Sequence, residues 1–426
     1  MKKKAKTDFR REESLPKLVQ AFFVSHIFRL FLPVPCINLY KTRFGKAEKR
    51  SFFMKRYFLY AALAVLVFSA LPPGAAAADT PSVQAKSAIL MDQDTGRILY
   101  EKDAYEPRSI ASITKIMTAL VAIESGKMDK EAVVSNRAVR TEGSSLYLKP
   151  GDKWKMKDLV YGLMLRSGND AANVIAENVG GSIEGFVFMM NEKAKEIGMH
   201  DTHFANPNGL EDPGGRHYST AYDMALLMKY AMQNKEFRKI TGTKFYKGWR
   251  NKNRLLTEKY RYCTGGKTGY TKAARRTLVT TATKGGENLI AVTLNDSDDW
   301  DDHIAMYEYG FSQYDRKRIV EEGPVAAVRT KYLKQHVYVK RDITYPLKAG
   351  EEDAVKVEYR IKKPENSWKD PEKVPETVGR AIVYLNEKVI ASTPIYYQKT
   401  PVKEKETWLE QFKETFWIQL GLKNNG

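Results

Sequence analysis

The sequence predicts an α/β (α+β) domain with a mainly antiparallel sheet and covering helices, followed by a small all-β domain and a C-terminal amphipathic helix. Three observations carry that expectation. A hairpin pattern at residues 87–101 gives way to helical periodicity and then to consecutive strand-like runs at 263–294, the order expected of a sheet with helices packed on it. Beyond residue 323 the helical pattern fades into period-two alternation, as in Val355-Lys-Val-Glu-Tyr-Arg-Ile361. Residues 406–422 then place Trp408, Leu409, Phe412, Phe416 and Leu420 along one helical stripe. A chain of 426 residues is too long for one ordinary core, so two domains with appendages are expected.

Each element follows in chain order. At residues 54–78, Lys55 and Arg56 precede an apolar run that ends in small residues, the pattern of a secretory signal peptide cleaved after Ala78. The run is short for the roughly 20 residues of a spanning helix, and Pro72, Pro73 and Gly74 follow it. A signal peptide normally opens a chain, so residues 1–53 read as an over-extended N-terminus with Met54 as the true start. The first domain is expected over 79–322. Within it, residues 87–92 and 97–101 flank Gln93-Asp94-Thr95-Gly96 as a hairpin. Residues 112–124 are helical, with Ile116, Met117, Leu120, Val121 and Ile123 offered to the core and Gly126 as the stop. Further helices are expected at 157–165, 170–178, 183–197 and 222–233. Strands are expected around Lys267 and at 278–283 and 289–294, the last two joined through Gly285-Gly286.

The second domain is expected over 323–403 as a β-sandwich-like unit, with 381–385 and 388–393 straddling Asn386-Glu387 and with Pro364, Pro371 and Pro375 as punctuation. Residues 404–426 form the terminal helix. Its aromatic stripe, on an exported chain, suits attachment to a membrane surface.

The formal charge of +19 is concentrated at the N-terminus: residues 1–78 hold about 15 Lys/Arg and about 4 Asp/Glu, leaving roughly +8 for the remainder. A modest basic excess suits an anionic wall or membrane surface. It does not suit nucleic acid, because no basic stripe with interleaved aromatics is present. Cys36 falls before the cleavage point and Cys263 is then alone, so no disulfide framework is expected and the thiol reads as packing.

The stretch Cys263-Thr-Gly-Gly-Lys-Thr-Gly-Tyr-Thr271 looks at first like a phosphate loop. Such a loop needs a glycine five positions before its Gly-Lys-Thr and opens a helix. Here that position is Arg261, and the following Thr277-Leu-Val-Thr-Thr-Ala-Thr283 is a β-branched, strand-like run. Lys267-Thr268-Gly269 therefore needs another explanation. Upstream, Ser112-Ile113-Thr114-Lys115 puts a hydroxyl and an amine three residues apart at a helix start, on one face and within mutual reach. By itself this is feeble, since Ser14-Leu15-Pro16-Lys17 fits the same spacing. The Ser112 helix is apolar enough to be central, however, and Ser167-Gly168-Asn169 places a second hydroxyl and a carboxamide on a tight loop between helices. Ser-x-x-Lys, Ser-x-Asn and Lys-Thr-Gly in this order form the set used by penicillin-recognising serine enzymes.

With those motifs, and with "RSIASITKIMTALVAIESG", "GSSLYLKPGD", "LVYGLMLRSGNDAANVIAE" and "GGKTGYT", the chain from about Lys86 to Tyr397 resembles the low-molecular-weight penicillin-binding proteins, the serine-type D-alanyl-D-alanine carboxypeptidases. "RDITYPL" at 341–347 is most similar to the sporulation-type enzymes of endospore-forming bacilli, which trim cortex peptidoglycan. The resemblance implies a β-lactamase/transpeptidase-like first domain. It implies Ser112 as nucleophile, Lys115 as general base and Ser167 as proton relay. It implies Asn169, Lys267, Thr268, Gly269 and Tyr270 as substrate-binding residues, with the N–H groups of Ser112 and Tyr270 forming an oxyanion hole. No metal or cofactor is implied. The partners implied are a peptidoglycan stem peptide ending in D-Ala-D-Ala and the β-lactams that mimic it. The implied place is the outer face of the cytoplasmic membrane, the cell wall or the forespore envelope.

The physical requirement is that Lys115 be neutral: a free lysine has a pKa near 10.4, and lowering it to about 7 costs about 4 to 5 kcal/mol. Burial and the like charge of Lys267 supply that shift in principle. Gly269 is expected where a side chain would obstruct substrate laid on the strand edge. Arg275 and Arg276 are near enough in sequence to be candidates for an arginine that assists carboxylate binding, but they read rather as surface-pairing residues. Three rivals remain. A zinc peptidase would need His200 and His203 to find an acidic partner. A β-lactamase would have little use for the second domain and the terminal helix. A non-catalytic wall-binding protein would need no amine beside its hydroxyl.

Overall fold

The computed structural model describes residues 80–328, 332–333 and 336–399. All described residues belong to one compact unit. The expected signal peptide, the segment before it and the C-terminal helix at 404–426 lie outside the described residues. Among the described residues no helix is long and apolar enough to cross a membrane.

The first domain is built on a five-stranded sheet, antiparallel throughout, of β1 (Ser87–Asp92), β2 (Ile98–Lys102), β3 (Cys263–Thr271), β4 (Arg275–Lys284) and β5 (Glu287–Asp296) in the order β2-β1-β5-β4-β3. The expected hairpin is present as β1 and β2, and β1 also pairs with β5 from 200 residues later in the chain, Ile89 opposite Val292. Every residue of β1 is buried, because the sheet carries a core on each face. Alternation along the strands divides them: Ile89, Met91, Val279, Ile290 and Val292 join one core, whereas Ala88, Leu90, Leu278, Leu289 and Ala291 join the other.

The larger core belongs to α1 (Lys115–Glu124), α2 (Met156–Arg166), α3 (Asn169–Gly180), α4 (Ile183–Ile197), α5 (Ala221–Ala231) and α6 (Lys235–Thr241). In α1 the stretch Lys115 to Ile123 is buried without a break, so this helix is central rather than amphipathic. Ser182, Thr220 and Asn234 cap α4, α5 and α6 by accepting N–H bonds of the first turn. The opposite core is covered by α7 (Asp299–Gln313), which the sequence reading missed; it buries Met306, Tyr307 and Gly310 but begins with an acidic run that looks like a loop. Two short antiparallel pairs, Glu131–Val133 with Lys153–Lys155 and Phe245–Tyr246 with Trp249–Arg250, lie outside the main sheet.

The all-β part contains a five-stranded sheet of β7 (Gly323–Pro324), β8 (Val337–Val339), β12 (Lys388–Tyr397), β11 (Thr377–Leu385) and β10 (Val355–Ile361), in that order. A two-stranded sheet joins β6 (Tyr314–Val320) to β9 (Ile343–Lys348). Val337, Val378, Ala381, Val383, Ile395 and Trp368 fill its core. The β11–β12 turn at Asn386-Glu387 has positive φ at both residues, 47° and 66°, as a two-residue hairpin with right-twisted strands requires. Two ion pairs tie β6 and the β9–β10 connection to the first hairpin: Arg316 Nη2 to Asp92 Oδ2 at 2.6 Å and Arg97 Nη2 to Glu351 Oε1 at 2.6 Å.

Candidate active site

Ser112 does not start the α-helix as expected. It lies on a 3-10 turn, Ala111–Thr114, that runs into α1 at Lys115. The turn is forced into place from both sides. Ala111 has φ +49°, and Gly209 approaches so closely that a Cβ there would lie 2.0 Å from the Ala111 carbonyl oxygen. On the other side Thr277 Oγ1, on β4, donates to the Ile110 carbonyl at 2.9 Å. The backbone of Ser112 is thereby pressed against the end strand of the sheet, β3. A Cβ at Gly269 would stand 2.9 Å from Ser112 N and 2.4 Å from Thr277 Oγ1. The glycine is thus needed for the passage of the Ser112 turn across the strand, a second demand on the position beside the expected clearance for substrate.

Lys115 is fully buried. Its Nζ lies 2.9 Å from Ser112 Oγ and 2.7 Å from Asn169 Oδ1, and it also donates to the Asn208 carbonyl. Two of these three neighbours, the Asn169 and Asn208 oxygens, are oriented as acceptors; Asn169 Nδ2 is spent on the Glu142 carbonyl at 2.6 Å. A neutral amine has two N–H donors and one lone pair. With both donors taken by carbonyl oxygens, the lone pair is left facing the Ser112 hydroxyl. Burial, then the charges of Lys267 and Lys252, hold the Lys115 pKa well below the ordinary lysine range, with Asp170 opposing them.

The second lysine comes from β3. Lys267 is buried, and its Nζ donates to Ser167 Oγ at 3.1 Å and to the Thr268 carbonyl at 2.7 Å. Its pKa is lowered to about 7, by burial first and by Lys252 second. Ser167 ends α2 in the left-handed conformation, φ +65°, and Gly168 lets α3 begin at Asn169. This sharp break is what turns a hydroxyl and a carboxamide toward the two amines. Asp170, the next residue, is buried and holds the opposite loop through Ser145 Oγ, Leu146 N and Leu148 N.

Ser112, Ser167, Thr268, Gly269 and Tyr270 line one cleft of about 330 Å³, with Ser144, Lys252, Arg276, Asp299 and Trp300 completing its wall. Lys115, Lys267 and Asn169 reach the same place through the hydrogen bonds above, so the fold brings all eight sequence-predicted site residues together. It adds residues that sequence reasoning did not find. Lys252 is exposed and donates to Ser144 Oγ at 3.0 Å. Asn208 is buried beside Lys115. Arg276, read in the sequence as a surface-pairing residue, does pair, with Asp299 Oδ1 at 2.5 Å against the Trp300 ring, but it does so in the cleft wall. None of these belongs to a spaced motif; tertiary packing alone collects them.

Cys263 is buried, and burial pushes its thiol up to about 11, as a packing residue. His200 and His203 belong to no group of three or more His, Cys, Asp or Glu side chains placed to hold a metal among the described residues.

Comparison with known proteins bears on the same residues. The family described as D-alanyl-D-alanine carboxypeptidase, peptidase S11, matches residues 74–298, more than half of the chain and all of the cleft residues but Asp299 and Trp300. The chain belongs to this family. A second match, the C-terminal domain of penicillin-binding protein 5, covers residues 314–403, so the all-β part is also a recognised component of such carboxypeptidases. The carboxypeptidase is 35% identical to D-alanyl-D-alanine carboxypeptidase DacF of Bacillus subtilis over 336 residues, 73% of this chain and 84% of that one. It is 33% identical to D-alanyl-D-alanine carboxypeptidase DacC of Escherichia coli, over 74% of this chain and 84% of that one. Among solved structures it resembles penicillin-binding protein 5 from Haemophilus influenzae, with a TM-score of 0.62 and 26% identity over 76% of this chain and 99% of that one. The protein is a serine-type peptidase with a penicillin-binding-protein fold.

Proposed function

We propose that the carboxypeptidase removes the terminal D-alanine from peptidoglycan stem peptides through an acyl-enzyme on Ser112. The neutral Lys115 amine takes the Ser112 proton as Oγ attacks the carbonyl carbon between the two D-alanines. The N–H groups of Ser112 and Tyr270 receive the negative charge that develops on the carbonyl oxygen. The C–N bond then breaks. The proton held by Lys115 returns to the leaving amine with Ser167 as relay, and D-alanine departs. Water then attacks the ester carbonyl, its proton is taken up at the same lysine, and Ser112 is restored. Asn169 binds the substrate's peptide group, while Lys267 and Thr268 bind its carboxylate. An arriving carboxylate favours the charged form of Lys267, so a lysine held near neutrality when empty becomes the counterion when substrate is bound. β-Lactams acylate the same hydroxyl.

The observation that carries this reading is the 2.9 Å contact of Lys115 Nζ with Ser112 Oγ inside a buried, cation-rich site. The resemblance of "RDITYPL" to sporulation-type enzymes supports a role in cortex maturation. The apolar run within 54–78 and the aromatic stripe at 406–422 support export and attachment to the outer face of the cytoplasmic membrane. Labelling with a fluorescent penicillin, together with D-alanine release from a diacetyl-L-Lys-D-Ala-D-Ala tripeptide, tests the chemistry. Both are expected for the native protein and neither for Ser112→Ala; label retained by the variant would remove Ser112 from its role. Rapid penicillin turnover without D-alanine release would favour a β-lactamase instead.

A further inference from the structure

Tyr147 is the most exposed large hydrophobic side chain among the described residues, at 87%. Its backbone is also in the left-handed region, φ +62°, where a bulky aromatic residue is a true outlier and glycine or asparagine is at home. Neither feature helps folding. The ring buries almost nothing, and it makes no ring contact or side-chain hydrogen bond with any described residue.

Everything around Tyr147 is fixed. Leu148 is buried, and Leu146 packs so tightly against α2 and the Ser167 turn that a Cβ at Gly162 or Gly168 would strike it, at 2.2 and 2.7 Å. Asp170, itself 1% exposed, accepts from Leu146 N at 2.9 Å, Leu148 N at 3.2 Å and Ser145 Oγ at 2.6 Å, and Ser145 Oγ accepts from Tyr147 N at 2.8 Å. The loop also holds the reactive site directly: the Ser144 carbonyl accepts from Asn169 N at 2.7 Å, and Ser144 lines the cleft. An aromatic residue with a strained backbone is therefore carried into solvent on a fixed loop, three residues from the cleft wall. Backbone strain kept by a surrounding framework points to use rather than to folding.

We propose that Tyr147 is a substrate-positioning platform that stacks against an N-acetylated amino-sugar ring of the donor strand, so that glycan-linked stem peptides bind better than free ones. This rests on the carboxypeptidase reading above. Four donor residues upstream of the leaving D-alanine can span up to about 14 Å, against at most about 10 Å for the three residues from Ser144 to Tyr147, so a stem laid along the Ser144 wall is long enough to bring its sugar to the loop. An uncharged tyrosine face, with only two side-chain torsions to immobilise, suits the apolar face of a sugar better than the charged side chains of a stem peptide.

The test compares D-alanine release from three substrates: a disaccharide-pentapeptide, the same pentapeptide free, and the diacetyl tripeptide. The native enzyme is expected to show the lowest KM for the disaccharide form. Tyr147→Asn, which suits the left-handed backbone, is expected to raise that KM about threefold to tenfold with kcat held, and to erase the preference over free pentapeptide; Tyr147→Phe keeps it. Tm is expected to stay level or rise in Tyr147→Asn. An equal loss on all three substrates, a loss shared by free and glycan-linked pentapeptide, no native preference for the disaccharide, or a fall in Tm each overturns the platform while leaving the peptidase reading intact. Failure of the native enzyme on all three substrates would remove both.

Discussion

Lys115 Nζ sits 2.9 Å from Ser112 Oγ, with the Asn169 and Asn208 carbonyl oxygens occupying its other directions. That arrangement uses an amine that can lose its proton inside the fold. A guanidinium cannot do so, because its pKa stays above 12. Lys115→Arg is therefore expected to lose activity as fully as Lys115→Ala, by about 10²- to 10⁴-fold in acylation rate. Stopped-flow quenching with a penicillin measures it, and an arginine variant retaining a tenth of native rate would contradict a base at this position.

Lys252 offers a second test, since it contributes charge to the cleft without touching Ser112. Its ammonium helps lower the pKa of both Lys115 and Lys267. Removing it in Lys252→Met lets the Lys115 pKa rise, and the neutral form then needs a higher pH. The acid limb of kcat/KM, which reports the free enzyme, is expected to move to higher pH, whereas Lys252→Arg leaves it in place. Because Lys252 is exposed, the shift shrinks at high salt. An acid limb that stays put at low ionic strength would show that Lys252 acts only through its bond to Ser144.

The motif residues were legible because chemistry fixes their spacing within single elements: Ser112 and Lys115 lie one turn apart, Ser167 and Asn169 straddle one helix break, and Lys267 to Tyr270 share one strand. The wall was not legible. Ser144, Asn208, Lys252 and Arg276 come from four separate segments, and each is an ordinary polar residue until packing places it. The same limit applies to the fold. The buried helix α1 and the hairpins announce themselves by periodicity and turn residues, but α7 follows Asp298 and opens with Asp299, Asp301 and Asp302, and only the folded chain reveals that Asp299 and Asp302 are buried. Gly269 was singled out for a sound reason of space, yet the occupant of that space, the Ser112 backbone, is visible only in three dimensions.

Burying Lys267 should make stability depend on pH. Its folded pKa is about 7, against about 10.4 for an unfolded lysine. Between those values the unfolded chain binds a proton that the folded chain does not, so this contribution to unfolding free energy rises from pH 7 to about 10.4. In Lys267→Met the contribution disappears. The variant is expected to be inactive yet more stable than the native protein at pH 7, with the gap narrowing by pH 9.5. Urea unfolding at the two pH values measures this, and a native protein that outlasts the variant at pH 7 would mean that the bonds to Ser167 and Thr268 outweigh the burial cost.

The junction of hairpin and β-domain provides the last prediction. Asp92, 1% exposed at the end of β1, accepts from Thr95 N and Thr95 Oγ1 and pairs with Arg316 of β6, which also reaches Asp94 at 3.0 Å. Truncating the arginine strands a buried carboxylate, and breaking a buried pair on one side costs about 3 to 5 kcal/mol. The two Thr95 bonds remain to satisfy one carboxylate oxygen, which puts the expected cost of Arg316→Met at about 3 kcal/mol. Asp92→Asn keeps the turn and removes the charge, so Asp92→Asn combined with Arg316→Met should recover part of that loss. Penicillin acylation is expected to persist in the folded fraction of each variant, because neither residue lines the cleft. If urea midpoints for the single and double variants are simply additive, Arg316 and Asp92 are not energetically coupled and the β-domain is held to the first hairpin by other contacts.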